Sequence, residues 1–418
     1  MIVIVGAGIS GLTLAHHLSQ RRLPFTVLEA SARVGGVIRS ERVEGHLLEW
    51  GPQRARLTRE LSGLVDELGL RPRLLEARRG LPLFIHRDGR LCRVPLGPRE
   101  FLTSDIVSRR ARLRVLLEPF TRRASSDETV ADYFTRKLGR EAYESIAGPL
   151  YGGLYASDSA DMIVGLSLGH VLRDFGVGRS LVLRLLRHGG RDASPPACSF
   201  EDGLAELPRA LHALHRDRVR LEMPALVIRR SGRGWRVETG SDSIEATHVV
   251  VTGAARDAAA LLRESAPDAA ARMQTLVYNP LAIVHMHADT ELRGLGYQVA
   301  LGEDLITRGV TFNDSLFGRR GVYTAFLGGA KNPRVAREPD ERLARIAVDE
   351  FRRVTGYEAR ALSVAKAWMP AWDRSWQSIE GLRLPDGLHV HANWESRPGI
   401  EGRLAGSRRL ADRLAAGD

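Results

Sequence analysis

One stretch near the start of the chain has the residue types and spacing that bind a dinucleotide: Gly6-Ala7-Gly8-Ile9-Ser10-Gly11. In such a turn the first glycine permits a tight bend and the second lets a pyrophosphate approach the backbone. The third brings a helix close to a strand. An acid, Glu29, follows at a distance suited to hydrogen bonding with the ribose hydroxyls of an adenosine. These residues predict a binding site for a nucleotide cofactor.

The elements around this turn are those that the motif requires. The β-branched run Ile2–Val5 predicts a strand before it, Leu12–Gln20 has helical spacing after it, and Phe25–Leu28 predicts the second strand. The N-terminus of the helix would face the phosphate charge. A tight turn that binds nothing is the alternative, and the flanking elements argue against it. NAD and FAD share this fingerprint, so the turn alone does not choose between them.

Length and composition exclude several classes of protein. The chain has 418 residues, of which 44% are apolar and 27% charged, which is typical of a globular protein of two or three domains. No apolar run approaches the roughly 18 to 20 residues that span a bilayer. No signal peptide is visible, and two cysteines, Cys92 and Cys198, are too few for a disulfide framework. We expect a cytoplasmic protein.

The net charge of +11 raises the question of nucleic-acid binding. We predict none, because almost all the basic residues are arginines spread along the chain, and no nucleic-acid motif accompanies them. The densest cluster runs from Arg109 to Arg123 with leucines between the arginines. It predicts an amphipathic basic helix, which is either a solvated face or a peripheral contact with the inner face of a membrane.

The remainder of the chain alternates between helical and strand patterns. Residues 100–198 are mostly helical in pattern, with clear periodicity in Val130–Leu138 and Leu181–Leu186. We then expect the strands and helices that follow: Ala225–Arg230, Trp235–Thr239, His248–Thr252, Leu281–His287, Tyr323–Leu327, Asp340–Thr355 (a helix), Leu388–Ala392 and 399–416 (a helix). No internal repeat is present, which favours interleaved domains over domains in series.

The segment that follows Glu29 carries the first family resemblance. Leu28–Arg39 resembles a block of the flavin amine oxidase superfamily, in which an arginine and a glycine pair follow the ribose-binding acid. This resemblance implies FAD as the cofactor, bound without a covalent link. It implies contacts with the cofactor from Ala30, Arg33, Gly35, Gly36 and Val37. The alternative is a basic turn that contains glycine and has no such role.

Further segments narrow the resemblance to the oxygen-dependent protoporphyrinogen and coproporphyrinogen oxidases. Thr129–Gly139, leading to Pro149–Asp158, is similar to a block of those enzymes, and Glu49–Gln53 looks like their segment beside the flavin ring. Phe84–Pro95 looks like a hairpin of their substrate domain, and Ser199–Pro208 resembles their return to the FAD domain. The resemblance covers nearly the whole chain.

The family pattern implies the rest of the cofactor site. The residues concerned are Gly51, Pro52, Val227, Thr252, Asn393, Trp394, Gly399, Ile400 and Glu401. Val227 falls where the family's backbone contacts adenine, and the amides near Ile400 and Glu401 could stabilise an anionic reduced flavin. For Trp394, packing in the core is an equal alternative.

Two positions distinguish subfamilies. Amine oxidases commonly carry a lysine near the flavin where this chain has Met286, beside His285, and a tyrosine where it has Pro398-Gly399. Both differences favour a porphyrinogen substrate. Leu83 stands where some porphyrinogen oxidases have an arginine that pairs a propionate, so the residues that bind substrate carboxylates stay unassigned. His285 and His287 share one strand face but lack a third ligand, and we predict no metal site.

The expected reaction is oxidation of a porphyrinogen to the porphyrin, with dioxygen as acceptor, since no second glycine motif for NAD(P)H is present. No dedicated catalytic side chain is assigned, because the flavin carries the chemistry. An oxidase of an amine or a polyene, and a flavin-binding homologue without turnover, are the alternatives. The choice between protoporphyrinogen and coproporphyrinogen and the oligomeric state stay open.

The predicted fold is α/β: a Rossmann-type FAD-binding domain interleaved with an α+β substrate-binding domain and a helical domain. The expected bounds are 1–80, 199–255 and 383–418 for the first, 81–98 and 256–382 for the second, and 99–198 for the third.

Overall fold

A computed structural model describes residues 1–95, 97–174, 176–188, 195–240, 242–395 and 399–417. Its first sheet has five parallel strands, in the spatial order Val219–Arg220, Phe25–Leu28, Ile2–Val5, His248–Val251 and Leu388–Val390. The central strand is apolar throughout because neighbours cover it on both sides. Since all five strands run in one direction, Gly6, Glu29 and Thr252 follow them at the same edge of the sheet.

Helices cover this sheet. Ile9–Gln20 begins directly after Gly8 and packs against the last helix, Ile400–Ala416. The two are joined where the Ser407 hydroxyl donates to the carbonyl of Ser10 over 3.2 Å. Glu206–Leu214 also contacts the first helix. The predicted βαβ unit is therefore confirmed, with its helix beginning three residues earlier than the periodicity indicated.

Smaller sheets join the first one to the rest of the chain. An antiparallel sheet contains Ala225–Ser231, Gly234–Thr239 and Ser243–Ala246. Ser40–Val43 pairs with His46–Glu49, and Ala197–Phe200 lies between Ala55–Arg56 and Leu74–Glu76. The helices nearby are Arg59–Glu67, Ala255–Leu261 and Pro267–Gln274.

A mixed sheet of seven strands forms the second layer. Its spatial order is Arg360–Pro370, Tyr278–His287, Val322–Gly328, Thr307–Phe312, Gly296–Val299, Leu83–Arg87 and Arg90–Arg93. The helix Asp340–Thr355 covers one face, where Ala282, Val284 and Met286 meet Phe351. Strand alternation therefore sends Leu281, Ile283 and His285 to the opposite face. The short helix Asn313–Phe317 follows one of these strands.

Residues 98–188 are largely helical where the structure describes them. The helices are Pro98–Thr103, Arg109–Leu116, Val130–Leu138, Arg140–Ala142, Gly148–Tyr155, Leu168–Asp174 and Leu181–His188, with a π-helical turn at Tyr143–Ala147. Val130–Leu138 has the predicted bounds, and the side chain of Thr129 caps it by accepting from Asp132 N.

The α/β class and the Rossmann-type sheet are confirmed. Segments from both ends and from the middle of the chain form the parallel sheet, as interleaving requires. The numerical domain bounds given above stay a prediction.

Candidate functional site

Two glycines of the turn are required by packing. Gly6 has φ +107°, and a Cβ there would lie 2.5 Å from Thr252 Oγ1. A Cβ on Gly11 would lie 2.0 Å from the carbonyl oxygen of Gly6. Thr252 holds the turn from the other side, because its hydroxyl donates to the carbonyl of Val5 over 2.8 Å. These residues form one unit at the edge of the parallel sheet.

The backbone at Gly8 and Gly36 has open space beside it. A Cβ on Gly8 would have only Gly36 Cα near it, at 3.9 Å, although the φ of Gly8 is an ordinary −72°. Gly35 N donates to Ala7 O over 2.9 Å, which places the second glycine pair beside the first. Ile9 and the residues after it begin the helix here, so their amides have no partner within the helix. A larger side chain at Gly8 would fill this space. Because it is lined by backbone atoms and by the free amides of a helix N-terminus, the space suits a pyrophosphate.

The carboxylate of Glu29 is fixed beside the turn. Its Oε2 accepts from Ala7 N over 2.7 Å, and its Oε1 accepts from the amide and the hydroxyl of Ser31. The carbonyl of Glu29 accepts from Met223 N, so the segment that leads to Val227 lies next to this acid. Ala30 is exposed and Val227 is half-buried. The geometry suits contacts with a ribose and an adenine.

The loop after Glu29 continues along the same surface. Arg33 is exposed, and Val37 keeps 71% of its surface accessible. A Cβ on Gly51 would lie 2.0 Å from the carbonyl oxygen of Val37, so Gly51 packs directly on this loop. The turn, the loop and the Gly51 segment are therefore contiguous.

The C-terminal segment contributes two groups of predicted site residues, one at 393–394 and one at 399–401. The Trp394 side chain is fully buried and donates from Nε1 to the carbonyl of Gly253, so it packs in the core, while Asn393 beside it is half-buried. Gly399, with φ +95°, precedes Ile400 at the start of the last helix. Glu401 Oε1 accepts from Arg56 N over 2.5 Å, which ties this helix start to the strand Ala55–Arg56. Pro398 lies outside the described residues.

A buried polar cluster that the sequence did not reveal lies beneath the Gly51 segment. Arg319 Nη2 lies 2.8 Å from Glu49 Oε1, and both side chains are almost fully buried. The same carboxylate accepts from the Ser40 hydroxyl and Leu204 N, and Arg319 also donates to the hydroxyl of Ser199. The ion pair thus joins the hairpin that precedes Gly51 to the second sheet.

His285 belongs to this cluster. Its Nε2 lies 2.8 Å from the carbonyl oxygen of Glu49, which must accept, so Nε2 carries the proton. Nδ1 then accepts from the Ser363 hydroxyl over 2.8 Å. Burial lowers the pKa of His285 to about 4, so the ring is neutral near pH 7. No group of three metal-ligating side chains occurs among the described residues. His285 therefore holds the backbone just before Trp50 and Gly51.

A second buried histidine lies between the parallel sheet and the last helix. His391 Nε2 is 2.8 Å from Ser407 Oγ, and burial lowers the pKa of His391 to about 3. A Cβ on Gly406 would lie 2.5 Å from its ring, so little space surrounds it.

His285 and His391 predict that acid destabilises the protein. Both pKa values fall from an unfolded value near 6.5, so the unfolded chain takes up their protons first. Stability is therefore full above pH 6.5 and decreases as the pH falls toward 4, by about 3 kcal/mol per pH unit for the two residues together. Urea unfolding of the protein at pH 7.5 and pH 5.5 measures this loss.

The matched variant is His391→Gln, which cannot titrate. It is expected to lower stability at both pH values and to reduce the pH dependence by about 1.4 kcal/mol per pH unit, the share of one histidine, while His215 and His389, whose pKa values are also lowered to about 4, keep contributing. Equal pH dependence in the two proteins would show that His391 does not contribute.

The face of the second sheet opposite the helix Asp340–Thr355 is apolar. Leu281 and Ile283 form a cluster with Ala156, and Phe326, Ala365, Ala367 and Met369 pack against it partly buried. His285 lies on the same face, so this surface extends from the Gly51 segment. The side chains that remain partly accessible on this face are apolar as well.

Comparison with known proteins identifies the family to which this chain belongs. Residues 9–408 match the family described as flavin containing amine oxidoreductase. The chain belongs to that family and is a flavin-dependent oxidoreductase, as the segment Leu28–Arg39 indicated.

Two curated relatives are named protoporphyrinogen oxidases. Protoporphyrinogen oxidase 2, chloroplastic/mitochondrial, of Arabidopsis thaliana is 26% identical, over 90% of this chain and 85% of its own. Protoporphyrinogen oxidase of Homo sapiens is 29% identical, over 79% of this chain and 77% of its own. The resemblance to the porphyrinogen oxidases is therefore confirmed.

Solved structures show the same fold. A protein of Exiguobacterium sp. 255-15, provisionally assigned as a protoporphyrinogen oxidase, superposes with a TM-score of 0.82 at 22% identity and covers 100% of this chain and 99% of its own. Cyclohexylamine oxidase from Brevibacterium oxydans IH-35A gives 0.73 at 17% identity, over 100% of this chain and 98% of its own.

Proposed function

We propose that this protein binds FAD without a covalent link and oxidises protoporphyrinogen IX or coproporphyrinogen III to the porphyrin in haem biosynthesis. In the overall reaction six electrons and six protons pass, two at a time, to three molecules of dioxygen, which leave as hydrogen peroxide. The observation that carries this proposal is the similarity to protoporphyrinogen oxidases over most of the chain.

The site residues are assigned on the same basis. Gly6, Gly8, Ile9, Ser10 and Gly11 would hold the pyrophosphate together with Arg33, Gly35 and Gly36. Glu29 and Ala30 would hold the ribose, and Val227 would contact adenine. Val37, Gly51, Pro52, Thr252, Asn393, Gly399, Ile400 and Glu401 would surround the rest of the cofactor, with Trp394 contributing through its backbone.

When bound, the flavin supplies the two-electron redox chemistry. The task of this chain's own residues is then to position the substrate and keep water away. The partly accessible side chains of the apolar face, Phe326, Ala367 and Met369, would orient a flat tetrapyrrole. His285 is neutral and both of its nitrogens are engaged, so it fixes the backbone at Glu49 and leaves no free base there.

Porphyrin fluorescence tests the proposal. The purified, FAD-loaded protein is incubated in air with each porphyrinogen separately, against a control without enzyme for spontaneous oxidation. Fluorescence that grows faster than in the control is expected, and the faster of the two substrates is the preferred one. If neither reacts although FAD is bound, the porphyrinogen proposal is wrong, and anaerobic flavin reduction by amines or polyenes would test the alternative.

No helix in the described part of the chain has the length and apolarity needed to cross a bilayer.

One surface exposes apolar side chains among arginines. Phe120 is 80% and Leu113 66% exposed, and Leu116 and Leu117 lie beside them. Arg109, Arg110, Arg122 and Arg123 are also exposed here. Both the leucines and the arginines thus face outward from the helix Arg109–Leu116 and the turn after it.

We predict that this surface contacts anionic lipid. The protein is expected to sediment with vesicles that contain phosphatidylglycerol and less with pure phosphatidylcholine, because arginines supply charge attraction and Phe120 inserts. Phe120→Ser should weaken the association, whereas Leu214→Ser, which changes a leucine that is 57% exposed elsewhere on the surface, should not. Equal sedimentation of all three proteins would contradict the prediction.

A further inference from the structure

Arg54 is a half-buried cation without a counter-ion in the part of the chain that the structure describes. Its side chain is only partly accessible, and among the described residues it has no hydrogen bond, ion pair or ring contact. Burial lowers the pKa of Arg54 to about 10, and the charge of Arg56 lowers it further in the same direction. The guanidinium is still protonated at neutral pH, so a positive charge lies in a poorly solvated space.

Two cations that are more deeply buried than Arg54 are paired. Arg319 has Glu49, and the fully buried Lys137 lies 3.0 Å from Glu118. A buried charge without a partner costs several kcal/mol of folding free energy. A fold that pairs Arg319 and Lys137 but leaves Arg54 alone indicates that its partner is a ligand.

The backbone directs Arg54 away from the apolar core. Ala55 pairs with Cys198 and packs in the cluster beneath the first helix. Because side chains alternate along a strand, the residues on either side of Ala55 project away from that cluster. Gln53 is held inward by the carbonyls of Glu49 and Gly51.

Two segments proposed to surround the flavin flank Arg54. Gly51 and Pro52 precede it along the chain. Arg56, two residues after it, donates its amide to Glu401 in the first turn of the last helix. A helix N-terminus carries partial positive charge, so this end and the guanidinium both favour an anion in the space between the segments.

We propose that Arg54 binds an anionic oxygen that a ligand brings into the flavin pocket. Two sources share this chemistry: the flavin cofactor, through its phosphates or its anionic reduced ring, and a carboxylate of the substrate. Binding of the flavin by Arg54 requires only that the chain belongs to the flavin-dependent family. Binding of a substrate carboxylate rests on the proposed porphyrinogen substrate.

The test compares three variants with the wild type. Arg54→Met keeps the length of the side chain and removes the charge, Arg54→Lys keeps the charge, and Arg56→Met removes the charge of the exposed neighbour. The measurements are urea unfolding of the flavin-free protein, the dissociation constant and reduction potential of FAD, and the dissociation constants of protoporphyrin and coproporphyrin. None of these requires turnover, so a failed activity assay and a failed proposal are distinguishable.

Without flavin, Arg54→Met should be at least as stable as the wild type, because it removes an unpaired buried charge. If the cofactor is the source, this variant binds FAD roughly tenfold more weakly or lowers its reduction potential, with porphyrin affinity unchanged. If the substrate is the source, porphyrin affinity falls roughly tenfold with FAD binding unchanged. Arg54→Lys should lie between Arg54→Met and the wild type, and Arg56→Met should match the wild type.

Two outcomes overturn the proposal. One is that Arg54→Met leaves the affinity for FAD, the reduction potential of the bound flavin and the affinity for both porphyrins unchanged. The other is a marked loss of stability in flavin-free Arg54→Met, which would show that Arg54 already has a structural partner.

Discussion

Gly8→Ala is expected to fold normally and to lose FAD. The atom nearest to the added Cβ is Gly36 Cα at 3.9 Å, which is an ordinary van der Waals contact, and the backbone at Gly8 is one that alanine adopts readily. The methyl group would instead occupy the space that the turn leaves for a pyrophosphate. We expect affinity for FAD to fall roughly hundredfold or more, a loss of about 3 kcal/mol. Titration of the flavin-free protein with FAD measures this, and circular dichroism checks the fold.

Two other glycines give matched comparisons. Gly11→Ala should unfold the turn itself, because its Cβ would lie 2.0 Å from the Gly6 carbonyl, and we expect a loss of about 3 kcal/mol of stability without flavin. Gly63→Ala, in the helix Arg59–Glu67 with open space around it, should leave FAD binding unchanged and raise stability by up to about 1 kcal/mol. If Gly8→Ala retained wild-type affinity for FAD, the pyrophosphate would have to lie elsewhere.

The elements that were predictable from the sequence are those whose causes are local. Ile2–Val5 is a β-branched run that ends at a glycine turn, and the structure gives a strand with those bounds. Asp340–Thr355 is likewise observed as predicted, since its apolar residues repeat with helical spacing and Gly356 ends it in a left-handed conformation. Short-range patterns of this kind need no knowledge of the rest of the chain.

The buried polar cluster was not predictable for the opposite reason. Arg319 lies in a short basic sequence, Gly318-Arg-Arg-Gly321, which is typical of an exposed turn. It is buried only because Glu49, 270 positions earlier, meets it in space. The same holds for Arg54, whose isolation depends on which segments surround it. For the helix Arg109–Leu116, the amphipathic pattern was correct, but only the packing of Ala111 and Val115 shows which side faces inward.

Glu49→Gln is expected to cost about 3 to 5 kcal/mol of folding free energy, because it leaves the charge of Arg319 buried without a counter-ion. The two side chains are 1% and 5% exposed, so solvent cannot replace the lost partner. Urea unfolding of the flavin-free protein measures the loss. Glu245→Gln is the control: its pair with Arg236 is about half exposed, and the same substitution there should cost less than about 1 kcal/mol.

The hydrogen-bond partners of Glu49 and Arg319 predict which variant loses more stability. Without Arg319, Glu49 still accepts from the Ser40 hydroxyl and from Leu204 N, whereas without Glu49, Arg319 retains only the hydroxyl of Ser199 as a hydrogen-bond partner among the described residues. Arg319→Met should therefore cost less than Glu49→Gln. The double variant should cost less than the sum of the two, because it leaves neither charge unpaired. Additive losses would mean that the pair is not coupled, and that Glu49 stabilises the hairpin before Gly51 through its hydroxyl and amide donors alone.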